Sequence, residues 1–215
     1  MDTEHQLYKG DSNAMKSAGH ELKSVISIYN CRIKGIHLAL MALVDYRGFR
    51  MICSTRLPLS KNSLCYGSAD AGVTVHNSEE KVGEMMRELG KQLNIAEHKV
   101  NQSLIVGPGD IEGHKGSDGK FYLLDLARLF PPERPENNAN AYKIWFQLLR
   151  PELVLKAANF IGRPLCSDVF SSWLQWVSHL FFCFFLLFLL FFSPFFFGNE
   201  FLFLFGFFVN FFFLF

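Results

Sequence analysis

The sequence lacks the short motifs that announce a common activity. It has no Gly-x-Gly-x-x-Gly loop, no Val-Ala-Ile-Lys strand, no His-Arg-Asp run, no Walker A loop and no Gly-x-Ser-x-Gly elbow. Kinase, P-loop and serine-hydrolase chemistry therefore have no motif to rest on. Its five cysteines (Cys31, Cys53, Cys65, Cys166 and Cys183) are scattered, odd in number and form no C-x-x-C pair. That argues against a disulfide scaffold or a zinc site and fits a reducing compartment. Charge is nearly balanced, 21 basic against 20 acidic residues, so no global field calls for nucleic acid, although a local basic patch is not excluded. Met1 to Gly19 is polar and lacks an apolar h-region, so no cleavable signal peptide is expected and the body reads as cytoplasmic. The sequon Asn101-Gln102-Ser103 matters only in a secreted chain.

Phenylalanine is scarce in the body and crowded at the end. Of 25 Phe, 19 fall within residues 177–215, and beyond Asp168 the only formal charge is Glu200. Residues 174–215 therefore read as a separate Phe/Leu-rich tail. Two readings compete: a membrane segment, or a pyrimidine-rich stretch of non-coding DNA translated in error, since Phe and Leu have T-rich codons. Leu180 to Phe192 gives 13 unbroken apolar residues, short of the roughly 20 that span a bilayer. Ser193-Pro194, Asn199-Glu200 and Asn210 interrupt any extension. Trp173 and Trp176 suit a membrane interface, but no basic residue flanks the far end. The extreme Phe bias favours a gene-model artefact. If residues 177–215 are expressed, membrane attachment or aggregation follows.

The body is of ordinary globular composition and long enough for one domain with a core. Residues 1–18 read as a polar N-terminal arm. His37 to Tyr46 is apolar almost throughout, Arg47-Gly48 is a turn, and Phe49 to Arg56 is a second apolar run. Together they predict a β-hairpin whose first strand is central. Asn77 or Ser78 is placed to cap a helix, with Glu79 and Glu80 in its first turn. Val82, Met85, Met86, Leu89 and Leu93 follow at helical spacing. Leu104 to Val106 is a short strand, Gly107 to Lys120 a long polar loop with five glycines, and Phe121 to Ala127 a buried strand broken by Asp125. Tyr142 to Leu149 and Pro151 to Ala158 read as helical, with Pro151 in a first turn. The fold class is α+β, a mixed sheet with packed helices.

The stretch Gly109 to Arg128 is the most site-like. Asp110, Glu112, His114, Lys115, Asp118, Lys120, Tyr122, Asp125 and Arg128 are the ligand- or RNA-binding candidates. Glycines here permit close approach of a ligand, and an acid inside an apolar strand is costly without a cation, a metal or hydrogen-bond donors. The bland alternative is a salt bridge from Asp125 to Arg128, Lys120 or another base. A phosphotransfer reading would have Asp125 hold Mg²⁺, but its companion motifs are missing. A calcium loop from Asp110 fails, with Lys115 at the sixth position and Phe121 at the twelfth. For RNA, Lys115, Lys120, Phe121, Tyr122 and Arg128, and separately Tyr142, Lys143 and Trp145, set cations near rings. The competing fate of Phe121 and Trp145 is the core. No cofactor, metal or catalytic residue is assigned.

Seven segments then show a resemblance. Tyr29-Asn-Cys-Arg-Ile-Lys-Gly35, Leu40 to Arg50, Tyr66-Gly-Ser-Ala-Asp-Ala-Gly72 with Thr74-Val-His76, Gly109-Asp-Ile-Glu-Gly-His-Lys-Gly116, Phe121 to Arg128, Phe130-Pro-Pro-Glu133 and Leu149-Arg-Pro-Glu-Leu153 resemble the Clu domain of the clustered-mitochondria family. The likeness covers residues 19–173. It implies a large, non-enzymatic cytosolic protein that keeps mitochondria distributed and binds mRNAs for mitochondrial proteins. Such a protein also carries a ubiquitin-like region, a segment shared with a translation-initiation-factor subunit, and tetratricopeptide repeats. Against that pattern the chain reads as a truncated member. The resemblance brings no catalytic residues. Asp110, His114, Asp118 and Asp125 match its motif. The implied partners are mRNA and the translation-initiation machinery, with a membrane only if the tail is real.

Overall fold

The computed structural model describes Tyr8, residues 10–133 and residues 144–167. All belong to the first of the chain's two units, residues 1–173. The tail and its two readings lie outside the described residues.

Helix α1 spans Asp11–Cys31. Its start lies inside the stretch expected to be an arm. Polar residues at 11–18 conceal a helix whose apolar contacts begin further on, at Leu22, Val25 and Ile28. Ser24 and Ile28 are buried, and Val25 and Cys31 pack on the core. Asp11 in the first turn suits the positive end of the helix dipole.

The apolar run after α1 divides. Strand β1, Ile36–Leu38, pairs in parallel with β9, Phe121–Leu124, at the edge of a five-stranded mixed sheet. Strands β2, Met41–Tyr46, and β3, Phe49–Ser54, form the expected hairpin across Arg47-Gly48. The hairpin stands as its own two-stranded sheet, so β2 is not central. An all-apolar run fits burial on both faces, and it equally fits one face against a helix and one left open. Here α1 packs on both strands, and much of the rest is exposed.

The main sheet runs β1-β9-β8-β4-β5, with β4 at Leu64–Gly67, β5 at His76–Asn77 and β8 at Glu112–Lys115. All neighbours except β1 and β9 are antiparallel. Strand β8 occupies the middle of the expected polar loop. Its Glu-Gly-His-Lys sequence carries no strand signal, and pairing with β4 and β9 imposes the conformation. Gly113 is required there: a Cβ would lie 2.7 Å from the Phe121 ring and 2.8 Å from the Tyr66 Cβ.

Helix α2, Glu80–Leu93, is the predicted amphipathic helix. Val82, Met86, Leu89 and Leu93 are buried, and Met85 packs at the core margin. The cap differs from expectation. Glu79 precedes the helix without a side-chain cap, while Asn77, paired in β5, donates instead to the Leu104 carbonyl at 2.8 Å. Asn94 closes the helix in the left-handed region, which asparagine tolerates, and its amide donates to the Val154 carbonyl at 2.8 Å. That bond ties α2 to helix α3, Pro151–Ile161, which begins at the proline as predicted. Strands β6, Glu97–Val100, and β7, Ser103–Val106, form a third, antiparallel sheet.

Of the expected helix over residues 142–149, Ile144-Trp145 form a 3-10 turn and Leu148 bridges Pro132; residues 142 and 143 lie outside the described residues. One core gathers Met86, Leu89, Ile105, Ile111, Leu123 and Leu126. Full burial of each such side chain contributes roughly 1.5–3 kcal/mol. Among the described residues no helix is long and apolar enough to cross a membrane.

Candidate functional site

The β8-β9 hairpin places most of the nine candidates. Its register sets His114 opposite Tyr122 and Glu112 opposite Leu124. Glu112, His114 and Tyr122 therefore share one face. The His37 ring of β1 lies 5.6 Å from the Tyr122 ring. His114 faces Glu112 Oε2 through Nε2 at 3.0 Å and Ser63 Oγ through Nδ1 at 2.9 Å. Connectivity of serine, histidine and carboxylate is what a hydrolytic triad needs. Yet Ser63 donates its proton to the Ser60 carbonyl at 2.7 Å and is buried, so Oγ is not presented as a nucleophile. With Lys115 N donating to Ser63 O at 2.8 Å, the group clamps the start of β4 to β8.

The tight turn between the strands holds a second group. Asp118 accepts the Tyr122 hydroxyl at 2.8 Å and the Lys120 amide at 3.2 Å, and Lys120 Nζ lies 3.6 Å away. The Tyr122 hydrogen bond leads the effects that hold the Asp118 carboxyl below its usual range, and the same bond pushes the Tyr122 hydroxyl up. Lys115 reaches elsewhere, to Glu79 at the foot of α2, at 3.0 Å. Asp110 pairs with Arg128, whose guanidinium sits 4.7 Å from the centre of the Trp145 ring. Arg128 thus joins the loop before β8 to the segment before α3.

Asp125 differs from its sequence reading. It lies just past β9, in the left-handed region at φ 54°, with an exposed side chain. No cation sits against it among the described residues, so the expected salt bridge to Arg128 or Lys120 does not form. Arg128 and Lys120 pair with Asp110 and Asp118 instead. Although its surface meets water, the Asp125 carboxyl is flanked by enough protein to be partly desolvated. That desolvation, with Glu112 second, raises its pKa. Glu21 of α1 is the neighbour that sequence reasoning missed. Burial pushes its carboxyl up to about 7, with Leu126 and Ala127 amides opposing and Asp125 reinforcing the rise. One acid on a polar helix surface gives no signal of such a position.

Asp70 was also missed. Its carboxyl is held down to about 2, first by the Thr74 backbone N–H, at 2.8 Å, and then by the Ser68 hydroxyl, at 2.7 Å. The loop that follows β4, Ser68 to Thr74, is therefore locked by its own aspartate. Among the described residues no three His, Cys, Asp or Glu side chains converge to hold a metal ion. A groove of about 680 Å³ between α1, the end of α2 and α3 is lined by Leu22, Ile26, Leu93, Phe130 and Leu155, and none of the nine candidates borders it.

Fold and site together define an α+β domain whose clustered ionisable groups mostly pair with one another. The chain belongs to the clustered mitochondria family: the family model described as "CLU: Clustered mitochondria" matches residues 1–135. It is similar to the Clustered mitochondria protein of Arabidopsis thaliana, 30% identical over 161 residues, covering 70% of this chain and 11% of that protein. Protein clueless of Drosophila virilis is 33% identical over 135 residues, 58% of this chain and 9% of the relative. A Clustered mitochondria protein homolog of Xenopus tropicalis is 31% identical over 136 residues, 59% of this chain and 10% of the relative. The chain thus matches about a tenth of the length of these relatives. No solved structure matches it.

Proposed function

We propose that the chain acts as a non-enzymatic Clu-family module in the cytoplasm, serving the distribution of mitochondria and associating with mRNAs for mitochondrial proteins. The observation that carries this reading is the family match over residues 1–135, supported by relatives whose names refer to clustered mitochondria. The pairing of Asp110, Glu112, Asp118 and Arg128 within the domain supports a structural task for those groups. Lys115 and Lys120 keep 55% and 54% of their side chains exposed despite their acidic partners. They are the candidates best placed to reach an RNA phosphate, while Tyr122 is buried and does not offer a free stacking face. The translation-initiation machinery is the second partner of this reading.

The test is ultraviolet crosslinking of the full chain to RNA in its host, alongside mitochondrial imaging after deletion. Recovery of messages for mitochondrial proteins and clustering of the organelle are expected. Lys115→Ala with Lys120→Ala should lower RNA recovery and reduce the salt dependence of binding. RNA at background together with a normal mitochondrial spread would overturn the proposal. Domain limits at residues 19 and 173 belong to the same reading. Sequencing the transcript across the codons for residues 164–185 tests the tail: a message that splices into a continuing family frame removes any membrane role.

A further inference from the structure

The β2-β3 hairpin leaves one face open. Partners across an antiparallel pair share a face, and the register Ala42↔Cys53, Val44↔Met51, Tyr46↔Phe49 sets six residues on one side. All six are apolar or aromatic, and all are exposed. Phe49 is 71% and Tyr46 58% exposed. The opposite side carries Leu43 and the bidentate Asp45–Arg50 pair at 2.7 and 2.8 Å, and it holds the less exposed residues Met41, Leu43 and Arg50. Contiguous exposed apolar surface of this kind marks an interaction site.

Charge along the hairpin and its flanking segments narrows the occupant. Residues 32–61 hold six basic residues and one acid, a net +5, in a chain whose total is +1. Arg32, Lys34, Arg47, Arg56 and Lys61 are exposed, and none pairs with an acid among the described residues. Arg47 lies 5.3 Å from the centre of the Tyr46 ring, beside the apolar face.

Shape narrows it further. Two strands about 4.8 Å apart make a strip roughly as wide as one helix, about 10 Å. Six residues extend about 20 Å, the length of some 13 helical residues. The exposed area is about 500 Å² on this side, below the roughly 800 Å² per partner of a standard stable complex. A second copy docked through this face would in addition set one hairpin segment of net +5 against another, which a strip of this size does not offset. The non-aromatic majority, Ala42, Val44, Met51 and Cys53, offers RNA bases little to stack on. We infer that the hairpin face docks an amphipathic helix of a separate protein, about four turns long, with acidic residues flanking its apolar stripe. Helix α1 and the incoming helix would then sandwich the two strands.

Fluorescence anisotropy with the full 215-residue chain tests this. The probe is a labelled synthetic 14-residue helix with leucines on one face and glutamates on its flanks; a second probe carries lysines on the flanks. The glutamate probe should bind at least tenfold tighter than the lysine probe and weaken several-fold between 50 and 200 mM salt, about the range over which screening grows. Phe49→Ser should weaken it at least tenfold, and Arg47→Glu with Arg56→Glu by a similar factor. These positions are exposed, so far-UV circular dichroism and the urea midpoint should stay unchanged. Equal binding of the two probes, no binding at millimolar probe, or indifference to Phe49→Ser would overturn the inference. So would a dimer in sedimentation equilibrium that Phe49→Ser dissolves, which gives the face to a second copy. Binding to phosphatidylserine vesicles that Phe49→Ser abolishes, with no probe binding, would give it to a lipid surface.

Discussion

Tyr66→Phe removes one oxygen and should cost far more than an average conservative change. The side chain is 1% exposed. Its hydroxyl donates to the Val106 carbonyl at 3.2 Å and accepts the Val106 N–H at 2.7 Å. One hydroxyl thus satisfies two backbone groups of β7 and fastens the β6-β7 sheet to β4. Val106 is itself buried, so water does not readily replace the lost partner. Each unsatisfied buried group costs about 1–3 kcal/mol, which gives about 2–6 kcal/mol for the two groups the variant strands. Urea unfolding followed by circular dichroism measures it. With a slope of about 2 kcal/mol per molar, the midpoint should fall by about 1–3 M while the slope holds. Tyr122→Phe is the internal control. Its hydroxyl bonds an aspartate on a solvent-facing turn, and its loss should cost about 1 kcal/mol or less because water reaches the carboxylate. A Tyr66→Phe midpoint within about 0.3 M of the parent, or equal losses in the two variants, would refute the assignment of Tyr66 as the tie between the sheets.

Glu21 should make stability depend on pH. Its carboxyl is raised from 4.5 to about 7 in the folded chain, so the folded state holds the proton more tightly than the unfolded state. The contribution is full below pH 4.5 and is lost as pH rises through 7, worth roughly 2–3 kcal/mol over that window. Urea midpoints should fall from pH 5 to pH 8, and Glu21→Gln should flatten the profile; an unchanged profile in the variant would contradict the assignment. Gly67→Ala places a Cβ 1.8 Å from the Ile111 carbonyl oxygen at φ 80°, so a loss of at least about 3 kcal/mol is expected, visible as a large drop in Tm. Leu89→Ala empties a fully buried site on α2 and should cost about 2–5 kcal/mol by urea unfolding.

Legibility in the sequence followed periodicity. Helix α2 was readable because Val82, Met86, Leu89 and Leu93 repeat at helical spacing and charges fill the other face. Helix α3 was readable from Pro151, and the β2-β3 hairpin from two apolar runs about Arg47-Gly48. The segments that resisted have compositions that tertiary context overrides. Glu-His-Lys-Val of β6 and Glu-Gly-His-Lys of β8 are polar, and they become strands through their neighbours' hydrogen bonds. The first two turns of α1 carry no apolar stripe to announce them. Asp125 looked like an acid inside a strand because Leu126 and Ala127 continue the apolar run. A left-handed residue ends β9 there instead, and composition does not mark where pairing stops. The nine candidates lie close in sequence, but which acid meets which base depends on a strand register that spacing alone does not contain.

That register shifts attention from the acids to the basic hairpin. Asp110, Glu112 and Asp118 each face a donor within the domain, and Lys115 and Lys120 face acids. An incoming ligand at β8-β9 must displace or compete with these contacts, and each exposed pair is worth only about 0–1 kcal/mol. Competition there is cheap for a polyanion and difficult for a neutral ligand, which is why the exposed lysines suit phosphate better than the buried tyrosine suits a base. On the open face of β2-β3 no such pair stands in the way, since the Asp45–Arg50 pair lies on the opposite side. Five exposed cations within residues 32–61 have no acidic partner among the described residues, and the apolar face between the two strands' tips and the Leu40–Thr55 closure is open. Removing Phe49 therefore tests recognition with little risk to the core, whereas removing Asp110 or Glu112 tests recognition and folding together. The two proposals are separable by mutation for that reason: Lys115 and Lys120 test the proposed RNA contact, Phe49 and Arg47 the proposed docking of an acid-flanked helix.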